Sequence, residues 1–65
     1  MNIKDSLKIR LDLVNKQIEL YKKHAIEEIE KEEMIPATND VAMLRDLKEQ
    51  QGLIKQLLET EEEDE

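Results

Sequence analysis

Apolar side chains recur at intervals of three and four residues along the first half of the chain. At about 100° per residue, the eight members of this series fall within an arc of roughly 80°, which is one face of an α-helix. The pattern predicts a first helix over about residues 3–33. The series consists of Ile3, Leu7, Leu11, Val14, Ile18, Tyr21, Ala25 and Ile29.

The segment LKIRLDL, residues 7–13, alternates apolar and charged side chains, which is also the pattern of a half-buried β-strand. A strand explains only the four apolar positions of this segment, whereas a helix explains the whole series from Ile3 to Ile29. The helical interpretation leaves Ile9, Leu13 and Leu20 on the side opposite the main series. A helix that is apolar on two sides is typical of one that is covered on both.

The cluster MIPATND, residues 34–40, carries the turn signals of the chain. Pro36 has no amide proton and disfavours helical geometry at the residue before it. Thr38, Asn39 and Asp40 are all good N-cap residues. These signals predict a turn at residues 34–39 and a second helix over about residues 39–60.

The second helix is predicted to bury an apolar stripe that contains one glutamine, with Leu53 and Leu57 widening the buried face. Gly52 is a poor helix former, and we expect it to be present because it packs closely against Tyr21. The stripe comprises Leu44, Leu47, Gln51, Ile54 and Leu58.

These elements predict an all-α fold, a two-helix antiparallel hairpin over residues 1–58. With the turn at residues 34–39, residue i lies beside roughly residue 73 − i, so about 13 residues of helix 1 extend beyond helix 2. A chain this short is marginally stable alone. We therefore expect the overhang to be covered by a second copy, in a homodimeric four-helix bundle, or by another protein. The residues expected at this interface are Leu7, Ile9, Leu11, Leu13, Ile18 and Tyr21.

The formal net charge of −7 comes largely from the C-terminal segment ETEEEDE, residues 59–65, which holds six of the 17 acidic residues. We expect this acidic tail to be disordered. The shortage of basic residues makes nucleic acid an unfavourable partner. A second acidic run at the end of helix 1 is most simply a solvated face, and its functional interpretation is that it docks on a basic partner protein. It contains Glu27, Glu28, Glu30, Glu32 and Glu33.

Cysteine is absent and His24 is the single histidine, which excludes disulfides and thiolate metal sites. We expect no cofactor and no metal. The weaker alternatives are a metal ion shared by His24 and Glu28 and phosphorylation of His24. No apolar stretch is long enough for a membrane span. The cysteine-free composition fits the reducing cytoplasm, where we expect the protein to reside.

The chain offers little for catalysis, since it has one serine, one histidine, one tyrosine and no Gly-rich phosphate loop. We therefore expect a small non-enzymatic protein–protein interaction module that acts as a regulator, adaptor or assembly factor.

Two other functions remain open. If residues 7–13 formed a strand, the chain would resemble a ribbon-helix-helix DNA-binding repressor, with Lys8, Arg10 and Asp12 facing the major groove. Alternatively, the acidic tail would imitate a nucleic-acid backbone and inhibit a DNA- or RNA-binding protein.

Overall fold

The computed structural model describes the backbone of residues 2–63 and the side chains of residues 2–60. The chain forms two α-helices there, α1 over Ile3–Glu30 and α2 over Met34–Glu63. They are joined by three residues and pack against each other as an antiparallel hairpin. The predicted all-α hairpin is confirmed. Residues 7–13 lie inside α1, so the described part of the chain does not form the strand that a ribbon-helix-helix arrangement requires.

A side-chain cap at Asn2 fixes the start of α1. Its Oδ1 atom accepts a hydrogen bond of 2.8 Å from the backbone N–H of Asp5, one of the amides that lack an acceptor within the helix. The carboxylate of Asp5 also lies in the first turn, where a negative charge favours the helix dipole. The sequence therefore specifies this helix start locally.

The turn between the helices is a Schellman motif at residues 31–33, not at the predicted residues 34–39. The N–H of Glu33 donates to the carbonyl of Glu28 at 2.8 Å, and the N–H of Glu32 donates to the carbonyl of Ile29 at 3.0 Å. Glu32 occupies the left-handed conformation with a φ of 63°. Glycine normally takes this position, so the sequence carries no obvious sign of the turn.

Pro36 lies inside α2, as the third residue of the helix. The first amides of a helix have no intrahelical acceptor, so the missing N–H of Pro36 breaks no hydrogen bond. Thr38 does not cap the helix; its hydroxyl donates to the carbonyl of Met34 at 2.8 Å. The signals in residues 34–40 therefore mark the first turns of α2 and not the turn before it.

The earlier turn changes which residues face each other. Nε2 of Gln51 donates a hydrogen bond of 2.6 Å to Oδ1 of Asn15, so opposite residues have numbers that add up to about 66. Since α2 continues to Glu63, the described residues contain no overhang of α1. The buried core consists of Val14, Ile18, Leu47 and Ile54, with Leu7, Leu11, Tyr21, Leu44 and Leu58 packed against it.

Gly52 does not pack against Tyr21. A Cβ atom built on this glycine meets nothing within 4 Å apart from its own helix, so the position faces open space. With opposite residues adding up to about 66, Gly52 lies level with residue 14, away from Tyr21. The expected reason for a glycine here is therefore wrong.

The predicted acidic tail, residues 59–65, overlaps the end of α2. The helix continues through Glu63, so residues 59–63 belong to it. Asp64 and Glu65 lie outside the described residues, as do the side chains of residues 61–63. The disorder expected of this tail stays a prediction.

Candidate functional site

Six residues of α1 were predicted to form an intermolecular interface, and the structure divides them into two groups. Ile18 is buried in the hairpin core, and Leu7, Leu11 and Tyr21 pack against that core. Only Ile9 and Leu13 are more than half exposed. Within one chain, the first group therefore holds the hairpin together and the second remains available to a partner.

Ile9 and Leu13 belong to a second apolar row on α1 that also includes Leu20. All three side chains are more than half exposed. At 100° per residue, the row lies about 120–160° away from the centre of the buried stripe, always in the same sense. The predicted second apolar side of helix 1 is thus a solvent-exposed surface of the hairpin.

Leu53 and Leu57 form a similar row on α2. Both are more than half exposed, although the sequence pattern suggested that they widen the buried face. They lie about 100–140° from the buried stripe of α2, in the same sense as the row on α1. The helical wheel of α2 alone already contained this signal.

The two rows lie on the same side of the hairpin. An antiparallel helix pair has an approximate two-fold axis perpendicular to the plane of its helix axes, and rotation about that axis keeps a side chain on its side of the plane. Equal angular offsets on the two helices therefore point to one side. The helix register places Leu53 level with Leu13, and Leu57 level with Ile9. We call this surface the lateral apolar face: Ile9, Leu13, Leu20, Leu53 and Leu57.

The acidic run predicted to dock on a partner does not form one continuous surface. Glu27 and Glu30 are exposed on α1, and Glu32 and Glu33 form part of the turn. Glu28 is half-buried and lies beside α2. The run is thus divided between the outside of the hairpin and the groove between its helices.

Glu28 belongs to a polar cluster near the turn, together with His24 on α1 and Asp40 on α2. One ligand atom from each of these side chains lies within 4.8 Å of the other two. The pKa of Glu28 is raised above its ordinary value, chiefly by a hydrogen bond with the carboxyl of Asp40. Burial and the negative charges of Asp40 and Glu33 add to this shift, and His24 opposes it. The pair His24–Glu28 was visible in the sequence, but Asp40 was expected to cap a helix.

A shallow depression of about 520 Å³ lies on the side of the hairpin opposite the lateral apolar face. Val41 and Leu44 provide apolar surface there, and Lys22, Arg45 and Lys48 provide positive charge. Its walls come from two adjacent helices only. Ser6 and His24, the single serine and the single histidine of the chain, are separated by about 27 Å along α1.

No protein-family model, curated protein or solved structure matches this chain. Neither helix, over the residues that the structure describes, contains a stretch long and apolar enough to cross a membrane. The function is therefore inferred from the surface geometry and chemistry of the hairpin.

Proposed function

We propose that this protein is a non-enzymatic interaction module that self-associates through the lateral apolar face, and that it acts as a regulator, adaptor or assembly factor. The observation that carries the proposal is the presence of five aliphatic side chains, each more than half exposed, on one side of the hairpin. Burial of apolar surface is the main favourable term in protein association. The proposed assembly is a two-fold dimer with the architecture of a four-helix bundle.

The total exposed surface supports a binding role. The chain exposes 5204 Å², whereas a compact monomer of its 7.7 kDa mass exposes about 4,300 Å². The excess of about 900 Å² is close to the roughly 800 Å² that each partner buries in a standard interface. The elongated shape, 50 × 17 × 12 Å, explains this excess.

Charges around the lateral apolar face favour a second copy as the occupant. The exposed basic residues Arg10 and Lys16 border its α1 half, and Lys16 also pairs with Asp12 at 3.1 Å. On the α2 half, exposed Asp46 lies in line with Leu53 and Leu57. The two halves therefore carry opposite charges, and two copies are complementary when α1 of one covers α2 of the other.

A two-fold axis parallel to the helices gives this arrangement. It covers the apolar row of α1 with the apolar row of α2 from the second copy, and it places Asp46 about one helical turn from Lys16 of the second copy. A two-fold axis that crosses the helices at the level of Leu13 would instead place α1 over α1. Arg10 would then face Lys16 of the second copy, and such like charges disfavour association. Of these two arrangements, the charges favour the parallel axis.

The decisive experiment is a measurement of absolute mass by light scattering across a hundredfold dilution. The wild-type chain should have the mass of a dimer, about twice 7.7 kDa, at the high end of the concentration range. Leu13→Glu should shift the population to monomer, because it places a charge in the centre of the lateral apolar face. Circular dichroism should show that the variant keeps its helix content.

Ile26→Glu is the matched control. Ile26 is 57% exposed, close to the 52% of Leu13, but it lies on the other side of the hairpin. This variant should remain dimeric. A wild-type chain that is monomeric at all concentrations, or equal effects of the two substitutions, would contradict the proposed face.

A further inference from the structure

Three side chains with metal-binding atoms converge between the two helices near the turn. His24 and Glu28 lie four residues apart on α1, and Asp40 reaches them from the second turn of α2. Their ligand atoms all lie within 4.8 Å of one another. Residues four apart on a helix face the same direction, so His24 and Glu28 together can hold one ion from the α1 side.

The cluster has an unsatisfied polar atom. Oε2 of Glu28 is shielded from solvent and has no hydrogen-bond partner. Buried polar groups in native proteins normally have partners, and an unpartnered carboxylate oxygen is costly. A bound cation would provide the missing partner.

The charged groups that act on Glu28 would attract a cation. They are the carboxylates of Asp40 from α2 and Glu33 from the turn, whereas His24 from the same helix would contribute a ring nitrogen as a ligand. The ion pairs of the described residues, Lys16–Asp12 and Lys22–Glu19, involve other acids. Two carboxylates and one imidazole therefore meet, and neither of these two ion pairs neutralises the carboxylates.

We propose that His24, Glu28 and Asp40 form a binding site for one divalent transition-metal ion, with Zn²⁺ as the representative case. An imidazole together with carboxylates suits zinc and related ions, whereas Ca²⁺ and Mg²⁺ prefer oxygen ligands alone. Three protein ligands leave a fourth position for water.

The required adjustment is small. Zinc ligands at about 2.0–2.2 Å in tetrahedral geometry are about 3.4 Å from one another. The three side-chain atoms must therefore approach by about 1.4 Å from the 4.8 Å limit, which rotation of an exposed histidine and two half-buried acids can supply. The bound ion would connect α1 to α2 beside the turn and so stabilise the hairpin.

Zinc titration of the full, tag-free chain, in competition with a chromophoric chelator, tests the site. The expected result is one Zn²⁺ per chain. At a hundredfold excess over the dissociation constant, the midpoint of thermal unfolding should rise on the order of 10 °C. An NMR shift of the His24 imidazole signals on zinc addition would identify the ligand directly, since the chain has no other histidine.

The variants His24→Ala and Asp40→Asn should each weaken zinc binding at least tenfold. Glu27→Gln is the matched control, because Glu27 is an exposed glutamate next to the proposed ligand, and its zinc affinity should equal that of the wild type. Helix content measured without metal shows whether each variant is folded. If Asp40→Asn fails to fold, exposed His24 still provides the test.

Three results would overturn the proposal. They are no zinc binding at millimolar concentration, unchanged affinity in His24→Ala, or Ca²⁺ binding as tight as Zn²⁺ binding. The last two would show that the acidic residues attract cations without the imidazole. The dimer measurement on Leu13→Glu is independent of these results, because its substitution lies far from the turn.

Discussion

Glu32 has the one positive φ among the non-glycine residues that the structure describes, and its backbone conformation determines where the hairpin turns. A left-handed conformation costs an L-residue about 1–2 kcal/mol, because its Cβ approaches the following carbonyl oxygen. The two Schellman hydrogen bonds around Glu32 compensate by giving the last carbonyls of α1 their partners. One strained residue therefore follows the end of α1 at Glu30, three residues before the predicted end of the helix at residue 33.

The variant Glu32→Gly should be more stable than the wild type. Glycine removes the steric cost at φ 63°. Its greater conformational entropy in the unfolded chain offsets part of this stabilisation. The expected net increase in the free energy of unfolding is about 0.5–1 kcal/mol, measured by urea denaturation. Glu32→Gln removes the same charge without relieving the backbone, and an equal gain in that variant would rule out the conformational explanation.

Glu28 should make the stability of the hairpin depend on pH. The nearby Asp40 carboxyl, partial burial and the negative charge of Glu33 raise its pKa in the folded state above the usual 4.5, and His24 opposes this shift. The protonated form is thus the one that folding favours. Its contribution is fully present below pH 4.5 and is lost as the pH rises through the raised folded-state pKa.

The variant Glu28→Gln imitates the protonated side chain. With a chelator present, it should be more stable than the wild type at pH 7, and the difference should shrink as the pH falls towards 4.5. Urea denaturation at several pH values measures this change, with Glu27→Gln as a control for the loss of one acidic charge. Parallel stability profiles for Glu28→Gln and the wild type would contradict the proposed pKa shift.

At the level of the helices, Gly52 is an interior helix position that nothing in the described structure requires to be glycine. Its missing side chain faces open space. Gly52→Ala should therefore raise the free energy of unfolding by about 1 kcal/mol, since alanine restricts the unfolded chain and favours helix. Thermal unfolding followed by circular dichroism measures the gain.

Alanine at Gly52 should also leave the dimer intact, because this position is not part of the lateral apolar face. The neighbouring substitution Leu53→Ala, which truncates a residue of that face, is the natural comparison and should weaken association. A loss of stability in Gly52→Ala would show that the position is packed against something absent from the single chain.

The sequence predicted the helices well and their connection poorly. The three- and four-residue spacing from Ile3 to Ile29 indicates α1 because the buried stripe of a long helix is a repeated signal. The turn depends on one residue, Glu32, whose left-handed conformation has no compositional sign because glutamate does not favour it. Pro36 suggested a turn at residues 34–39, whereas it lies in the first turn of α2, which begins at Met34.

The misplaced turn affected the whole molecule, because it changed which residues lie opposite each other. Moving the sum of opposite residue numbers from roughly 73 to about 66 removes the predicted overhang and turns Leu7 and Leu11 into core residues. The exposed positions Ile9 and Leu13 were predictable from the wheel of α1. Asp40 was not predictable as a neighbour of Glu28, since that pairing exists only with the turn in its observed place.

On the scale of the molecule, the centre of the lateral apolar face lies apart from the proposed metal-binding cluster, although Leu20 of that face lies one helical turn before His24 on α1. Leu13 and Leu53, which lie opposite each other, are nearer the free ends of the helices, whereas Glu28 and Asp40 lie beside the turn. The proposed association is therefore tested at Leu13, and the proposed ion binding at His24 and Asp40.

Pro36 also bears on how the chain avoids exchanging helices with a neighbour. If the turn straightened, α1 and α2 would merge into one continuous rod, and two such rods could pair side by side with the same core contacts between chains. Straightening would relax Glu32, but it would move Pro36 from a first turn to a helix interior, which costs about 3 kcal/mol or more per chain. This exceeds the strain at Glu32, so the proline favours the closed hairpin over the domain-swapped rod.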